Sequence, residues 1–592
     1  MTGWIPHQGA KHRPSMERPA RAAFVGALIA ALITLPGLGV GTLWDNSETA
    51  YGEVAREILL THDWIVMHLN GQPWFVQPPL YFWIGALFAR VFGVTSFALR
   101  LPSAIATILM GAMTGYAVAR QAGTRIGVYA SAILSSCLMQ AIIGRLAIMD
   151  ALLDMAVALN IFFWFRALEA GRDRYFIYGW IAAGFGFLAK GLVAPVAALM
   201  VIVPYAFWNG RHEDQRLPSW RGWLGGALAF LAVVAPWLIA ITLRAGPHAF
   251  DRMIVHYTIG RYTGVIENQA GPIWYYLPVV ILGFFPWIAF LPVGVAYGTA
   301  ALRRSATPAN VARLWRLAFV WIVVPLVFFS FARTKLPNYI ALELPALALV
   351  VALYVDAVVV RGTSRSIVIS AATVPIFVGL CAIAIALFVR DNKLSSSALA
   401  VTPYLIDMGA SIAIGSIVTA VLLARRATMA AAPYVLGASM LVAIDILVIK
   451  ALPLTEQFKP VPQFAKVVEA RRRPGDVVAI QSFRGANALV FYTEPHVYVL
   501  APPGARKTTE GVFARGVLCT HERIWLVAPL KRPAYDPTYG RTRTEIMSSG
   551  SGALYLVDGP PCDTVRAGHA EEVSLLWSPA NPATVYNDSD LP

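Results

Sequence analysis

The sequence predicts a mainly α-helical polytopic membrane protein of about 13 spans, with a cytoplasmic N-terminus and a small external α/β domain at its C-terminus. Three observations carry this. Of 592 residues, 57% are hydrophobic and 14% charged, where a soluble chain carries roughly a quarter charged; the mean hydropathy is +0.60. Apolar runs near the ~20 residues a crossing needs recur as far as residue 450. Beyond residue 452 Pro, Gly and charges rise and short β-rich runs appear. Disorder is excluded by the same figures, and a disulfide scaffold by a total of four cysteines.

The spans run at 22–42, 97–119, 126–143, 150–169, 175–188, 192–208, 222–243, 272–300, 314–331, 338–359, 366–388, 404–424 and 432–450. A further apolar stretch, Pro79 to Gly93, is judged by the positive-inside rule. Lys11, Arg13, Arg18 and Arg21 make the N-terminal tail cytoplasmic. If Pro79–Gly93 does not cross, the cytoplasmic connections carry Arg120/Arg125, Arg172/Arg174, Arg211/Arg216/Arg221, Arg303/Arg304/Arg313/Arg316, Arg361/Arg365 and Arg425/Arg426. If it did cross, all of them would lie outside. The stretch is therefore expected to lie at the interface, anchored by Trp74, Phe75, Tyr81, Phe82 and Trp83. The first span lacks a small-residue cleavage site and is read as retained. The net charge of +15 is thereby spread over cytoplasmic turns, which leaves no contiguous face for nucleic acid.

This parity divides the chain into a cytoplasmic tail 1–21, a membrane domain 22–452 with an external loop 43–96, and an external domain 453–592. In the last, Phe464–Ala470 reads as a helix, and Asp476–Ile480, Ala488–Tyr492, Val497–Leu500, Ile524–Val527 and Leu554–Val557 as strands. Cys519 and Cys562 are expected to pair there, the alternative being two free thiols; Cys137 and Cys381 sit in spans as packing residues.

Unusual polar residues collect on the external side. Asp45 and Glu48 are three apart, on one side of a helical turn; they are either catalytic carboxylates or, with Ser47, the cap of an interfacial helix. Asp150 and, one turn deeper, Asp154 sit where carboxylates usually face a cavity or a partner, and Arg145 is a candidate partner for Asp150. Lys190 lies at an outer turn, reaching a ligand or snorkelling. His256 and Arg261 are five apart in a loop that leads to Trp274-Tyr275-Tyr276, and Lys335 and Tyr339 follow a later span. An anionic, phosphate-linked lipid at headgroup depth suits these cations, and a carboxylate could act as base toward an attacking hydroxyl.

With these residues in view, the chain resembles the bacterial polyprenyl-phosphate-sugar glycosyltransferases of the GT-C superfamily, related to the 4-amino-4-deoxy-L-arabinose transferase of lipid A and to protein O-mannosyltransferases. The resemblance covers roughly residues 20–350 and rests on Asp45 to Glu57, Asp63-Trp64, Leu69-Asn70-Gly71, Pro78-Pro79-Leu80-Tyr81, Leu188-Ala189-Lys190-Gly191, Trp274 to Pro278, Phe285-Pro286-Trp287 and Lys335 to Tyr339. It implies thirteen spans and a lipid-phosphate cradle of Lys190, Arg261 and Tyr339, with His256 nearby and Lys335 in the matching motif; Asp150 matches a second external carboxylate. Two departures stand out. Ser47-Glu48 replaces an Asp-Glu pair, and Val76-Gln77 replaces Glu-Lys, removing one phosphate-binding cation and one possible metal ligand. No cofactor and no metal are expected.

The implied reaction moves a sugar from an undecaprenyl-type phosphate to a glycolipid, glycan or protein of the cell envelope, at the periplasmic face of the bacterial inner membrane. Asp45, aided by Glu48 or Asp150, serves the acceptor hydroxyl, and the anomeric centre inverts. The alternatives are a lipid or sugar transporter, against which no inverted repeat is evident, and an inactive scaffold.

Overall fold

The computed structural model describes residues 19–44, 47–211, 216–265, 269–362, 365–391, 396–456, 459–481, 486–493, 497–500, 522–530, 541–549 and 552–559. Each of the thirteen apolar segments falls on helix. Among the described residues, eight helices have the length and composition to cross a membrane, or nine if one bent pair is counted.

Two of the expected spans are not continuous. Residues 126–143 form Thr124–Ser136 and Leu138–Ile143, separated by Cys137 in extended conformation (φ −75°, ψ 147°). Residues 272–300 form Tyr276–Gly283 and, from Trp287, a second helix to Leu302 at 106° to the first. Pro286 has no N–H to donate and disfavours helix at the residue before it. The two breaks meet. The freed Leu138 N–H donates to the Phe285 carbonyl (3.1 Å), and the Trp287 indole N–H donates to Ser136 Oγ (3.0 Å).

Small residues let Pro19–Thr34, Ser96–Ala122 and Thr124–Ser136 approach closely: a Cβ on Gly26 would lie 2.7 Å from the Gly111 carbonyl, and one on Gly127 2.4 Å from that of Gly115. Beside this bundle, Asp150–Ala170 and Asp173–Lys190 form an antiparallel hairpin turned at Gly171, whose φ of 59° suits glycine. The start of one helix and the end of the other therefore share one end of the hairpin.

The 43–96 loop contains the helix Glu48–Thr61, a hairpin of β1 (His68–Leu69) and β2 (Gln72–Pro73), and the helix Leu80–Phe92. Asn70-Gly71 turn the hairpin with φ of 53° and 73°, as a two-residue turn of this type requires. The aromatic residues expected as interfacial anchors face inward instead. Phe75, Tyr81 and Phe82 are buried, and Tyr51, Trp74, Tyr81 and Phe82 pack edge to face with centroids 5.4–6.2 Å apart. The exposed apolar residues of Leu80–Phe92 are Leu87, Val91 and Phe92. A period of 3.6 put the larger rings on the side of the neighbouring helices.

The C-terminal region is a five-stranded sheet of order β4-β3-β5-β7-β6, formed by β3 (Val477–Gln481), β4 (Val497–Leu500), β5 (Arg523–Pro529), β6 (Arg543–Ser549) and β7 (Gly552–Asp558). β3 runs parallel to β4 and β5, while β7 is antiparallel to β5 and β6. Pro460–Arg471 is the expected helix. Ala488–Tyr492, read as a strand, belongs instead to the helix Ala486–Tyr492, and β6 was not read. Cys519 and Cys562 lie outside the described residues.

This region docks on the 43–96 loop through backbone groups. The Leu43 N–H donates to Tyr492 Oη (2.6 Å), Arg56 donates to the Val490 carbonyl (3.1 Å), and the Asn70 amide pairs with both backbone groups of Val497 (3.0 and 3.2 Å).

Candidate active site

One cavity of about 1750 Å³ opens where the 43–96 loop, several helix ends and the C-terminal region meet. It exceeds the ~300–1,000 Å³ of an ordinary small-molecule pocket, a size fit for a lipid and a second substrate. Its described lining includes the cations Arg100, Arg145, Lys190, Arg252, Arg261 and Lys459, against the carboxylates Glu48, Asp150 and Glu456. An excess of cations over carboxylates in an otherwise apolar wall favours an anionic occupant.

The hairpin described above positions the central pair. Asp150 opens one helix and Lys190 closes the next, each at the end where the helix dipole favours its charge. Gly191 follows with φ 68° and donates to the Phe187 carbonyl (2.7 Å), ending the helix cleanly. Lys190 Nζ lies 2.5 Å from Asp150 Oδ1, and Asn338 Nδ2 donates to the same oxygen (2.6 Å). Lys190 Nζ is also 5.7 Å from the centre of the Tyr339 ring. The Arg145–Asp150 pairing is thus corrected: Arg145 faces Asp445 at 3.7 Å.

Arg261 arrives from the other side. Asp251–Gly260 is a π-helix, whose wider turn puts residues about four to five apart on one face; Arg252, Tyr257 and Arg261 accordingly line the cavity. The segment after residue 332 is fastened to it, with the N–H groups of Arg333, Thr334 and Lys335 donating to the carbonyls of Tyr262, Arg261 and Gln269 (3.0, 3.1 and 2.8 Å). Arg261 is thereby held beside Leu336–Tyr339, donating to Gln269 Oε1 (3.3 Å).

Three expected site residues are placed otherwise. Lys335 is buried, and its ammonium donates to the carbonyls of Ser330 and Ala332 (2.7 and 2.6 Å); it does not line the cavity, and burial lowers its pKa. His256 lies edge-on to Tyr257 (4.8 Å) and is likewise outside the lining. Glu48 lines the cavity, but every acceptor position is used. Oε1 takes Arg100 Nε (2.9 Å) and the Ala147 N–H (2.6 Å), and Oε2 takes Arg100 Nη2 (2.9 Å) and the Trp44 N–H (2.8 Å). Arg100 also donates to the carbonyls of Leu38, Val40 and Thr42. A carboxylate so saturated positions the 144–149 loop and has no lone pair left for a substrate proton.

Asp45 and Asn46 lie outside the described residues; Trp44 and Ser47, which flank them, both line the cavity. The Ser47 side chain makes no cap hydrogen bond. Among the described residues no three His, Cys, Asp or Glu side chains are grouped to hold a metal ion, and Val76 and Gln77 line the wall. Sequence reasoning missed Arg252, Glu456, Lys459 and Asn487. Lys459 Nζ sits 4.1 Å from the centre of the Trp44 ring and donates to Glu456 Oε1 (2.8 Å); the Glu456-x-x-Lys459 spacing past the last span was the available signal.

Comparison with known proteins agrees with this architecture. Residues 76–239 match the family model described as dolichyl-phosphate-mannose-protein mannosyltransferase. The undecaprenyl phosphate-alpha-4-amino-4-deoxy-L-arabinose arabinosyl transferase 2 of Proteus mirabilis is 31% identical over 346 residues, 56% of this chain and 60% of that protein. The corresponding transferase of Pseudomonas aeruginosa is 34% identical over 321 residues, 52% of this chain and 54% of that one. The chain thus spans about three fifths or less of the length of these relatives. The crystal structure of ArnT from Cupriavidus metallidurans bound to undecaprenyl phosphate superposes with a TM-score of 0.74 at 20% identity, over 91% of this chain and 98% of that one. The fold is therefore that of the ArnT structure, a mainly α-helical polytopic membrane protein.

Proposed function

We propose that this chain is an integral-membrane glycosyltransferase. It moves a sugar from an undecaprenyl-type phosphate to a cell-envelope acceptor, a lipid A or lipopolysaccharide glycan or a protein, at the periplasmic face of the bacterial inner membrane. The observation that carries the reading is the cavity in which Lys190, Arg261 and Tyr339 stand together with Asp150 under an apolar wall. Relatives named for undecaprenyl phosphate-linked aminoarabinose support it, as does the undecaprenyl phosphate in the ArnT crystal structure.

Asp150 holds the Lys190 ammonium, and Asn338 donates to the same carboxylate oxygen. A lipid phosphate competes with Asp150 for that ammonium, and Arg261 and the Tyr339 hydroxyl supply further donors. The acceptor oxygen attacks the anomeric carbon, the bond from that carbon to the phosphate oxygen breaks, and the acceptor proton passes to a carboxylate. Asp45 takes the proton, and Asp150, relieved of Lys190, orients the acceptor. With no covalent intermediate the anomeric configuration inverts. Lys190, Arg261 and Tyr339 stabilise the charge that grows on the departing polyprenyl phosphate.

The test is release and transfer of labelled sugar from a polyprenyl-phosphate-linked donor by the purified protein in detergent, where no gradient can drive transport. Transfer is expected, and Asp45→Asn should lower it by at least about a hundredfold, the smaller end of what a positioned base contributes. Absence of sugar release across envelope acceptors contradicts the reading.

A further inference from the structure

Arg145 is a buried cation of this cavity with incomplete hydrogen bonding among the described residues. It stands in the 144–149 loop between Leu138–Ile143 and Asp150–Ala170, is 8% exposed, and lines the cavity. Nη1 donates to the Ala141 carbonyl (3.3 Å). Nε and Nη2 have no hydrogen-bond partner among the described residues. Asp445 Oδ1, at 3.7 Å from Nη2, is beyond hydrogen-bond reach and is itself without a hydrogen-bond partner among those residues.

The contrast with other arginines is direct. Arg100 and Arg56 each use this same Nε/Nη2 edge to grip both oxygens of a carboxylate, Glu48 and Glu53, at 2.7–2.9 Å. In Arg145 the edge is unmade, although leaving such donors buried without partners is costly. Burial brings its pKa down to about 10, so the group stays charged. Ala141, its carbonyl acceptor, packs in one buried cluster with Ile444 and Val448, and Leu282 and Leu447 add to the apolar lining of the same cavity. A planar fork with two parallel donors matches two oxygens of a phosphate, and the apolar wall matches hydrocarbon.

We propose that the Nε/Nη2 edge of Arg145 grips a lipid-borne phosphate, whose hydrocarbon lies along Leu282, Ile444, Leu447 and Val448. This rests on the reading of the cavity as a lipid-phosphate site and adds a second phosphate grip apart from Lys190. The phosphate belongs either to the polyprenyl donor or to a phosphorylated glycolipid acceptor.

Binding of three probes to the purified full chain in detergent tests it: undecaprenyl phosphate, diphosphorylated lipid A and dephosphorylated lipid A. Arg145→Gln should weaken one of the two phosphate lipids at least about tenfold, Arg145→Lys should restore part of the loss, and dephosphorylated lipid A should not respond. Loss for undecaprenyl phosphate assigns the grip to the donor, and loss for diphosphorylated lipid A assigns it to the acceptor. Asp445→Asn should leave binding equal or tighter, since the competing carboxylate is gone. The proposal is overturned if Arg145→Gln changes neither phosphate lipid, or if Asp445→Asn reproduces its loss, as a purely structural ion pair would. If Arg145→Gln does not fold, Arg145→Lys and Asp445→Asn decide by the same criteria. Because binding needs no turnover, a failure of sugar transfer leaves this result readable.

Discussion

The two ends of the helix bundle carry similar residues in opposite states. At the end away from the cavity, Arg125 meets Asp356 at 2.5 Å, and Glu169 collects Gln121, Arg313 and Arg166. Arg316 donates to Asn209 Oδ1 (2.6 Å), and Asn310 to the Gln121 carbonyl (2.5 Å). At the cavity end Lys190 and Asp150 share one contact through one carboxylate oxygen, and the Nε/Nη2 edge of Arg145 has no hydrogen-bond partner among the described residues. The same residue types thus knit helix ends together in one place and, Glu48 and Arg100 apart, make fewer contacts in the other. Sequence shows where charge is; the completeness of its partners shows what the charge is for.

Breaking the saturated pair within the cavity end should have the largest effect. Arg100→Ala leaves Glu48 charged and buried, a loss of about 3–5 kcal/mol, read as a lower thermal transition in detergent; an unchanged transition would remove the distinction between Glu48 and Asp150. Lys190→Ala should lower sugar transfer by about a hundred- to a thousandfold, as loss of one donor to a developing oxyanion does, with a smaller effect on stability because Asn338 still holds Asp150.

The 43–96 loop offers a pH test between these extremes. Glu57, in the helix Glu48–Thr61, has its pKa pushed from 4.5 to about 8, chiefly by burial and then by the Glu53 charge. A carboxyl raised in the folded state keeps its proton while the unfolded chain has lost it. Its contribution is therefore present below about pH 4.5 and lost as pH rises to about 8. Thermal scans across this window should fall with pH, and Glu57→Gln should flatten the slope; an identical slope would contradict the assignment. Smallest of all, Arg313→Ala at the far end should cost less than about 1 kcal/mol and leave transfer unchanged. A large loss of transfer there would undo the contrast between the ends.

Much of the scaffold was legible because apolar length and arginine placement are local properties. The breaks at Cys137 and at Phe284–Pro286 were not, since Leu138 finds its acceptor on Phe285, far along the chain. Ala486–Tyr492 is a short apolar run, which periodicity cannot divide between helix and strand. β6 begins with Arg543, Thr544 and Glu545 on an edge with little burial. Asp150, Lys190, Arg261 and Tyr339 share one cavity wall because helix hairpins bring alternate ends together. The partners of the charged residues were not legible in the sequence, since Lys335 turning to Ser330 and Ala332, or Glu48 to Arg100, is decided by packing alone.

The most direct test is a titration of undecaprenyl phosphate into the wild type, Lys190→Ala and Asp150→Asn. If the pair holds an ammonium ready for a lipid phosphate, Lys190→Ala weakens binding by at least about tenfold, whereas Asp150→Asn, which frees the ammonium, binds as tightly as wild type or more so while losing transfer. Equal weakening by both substitutions would mean that Lys190 and Asp150 serve only to hold two helices together, and would contradict the account.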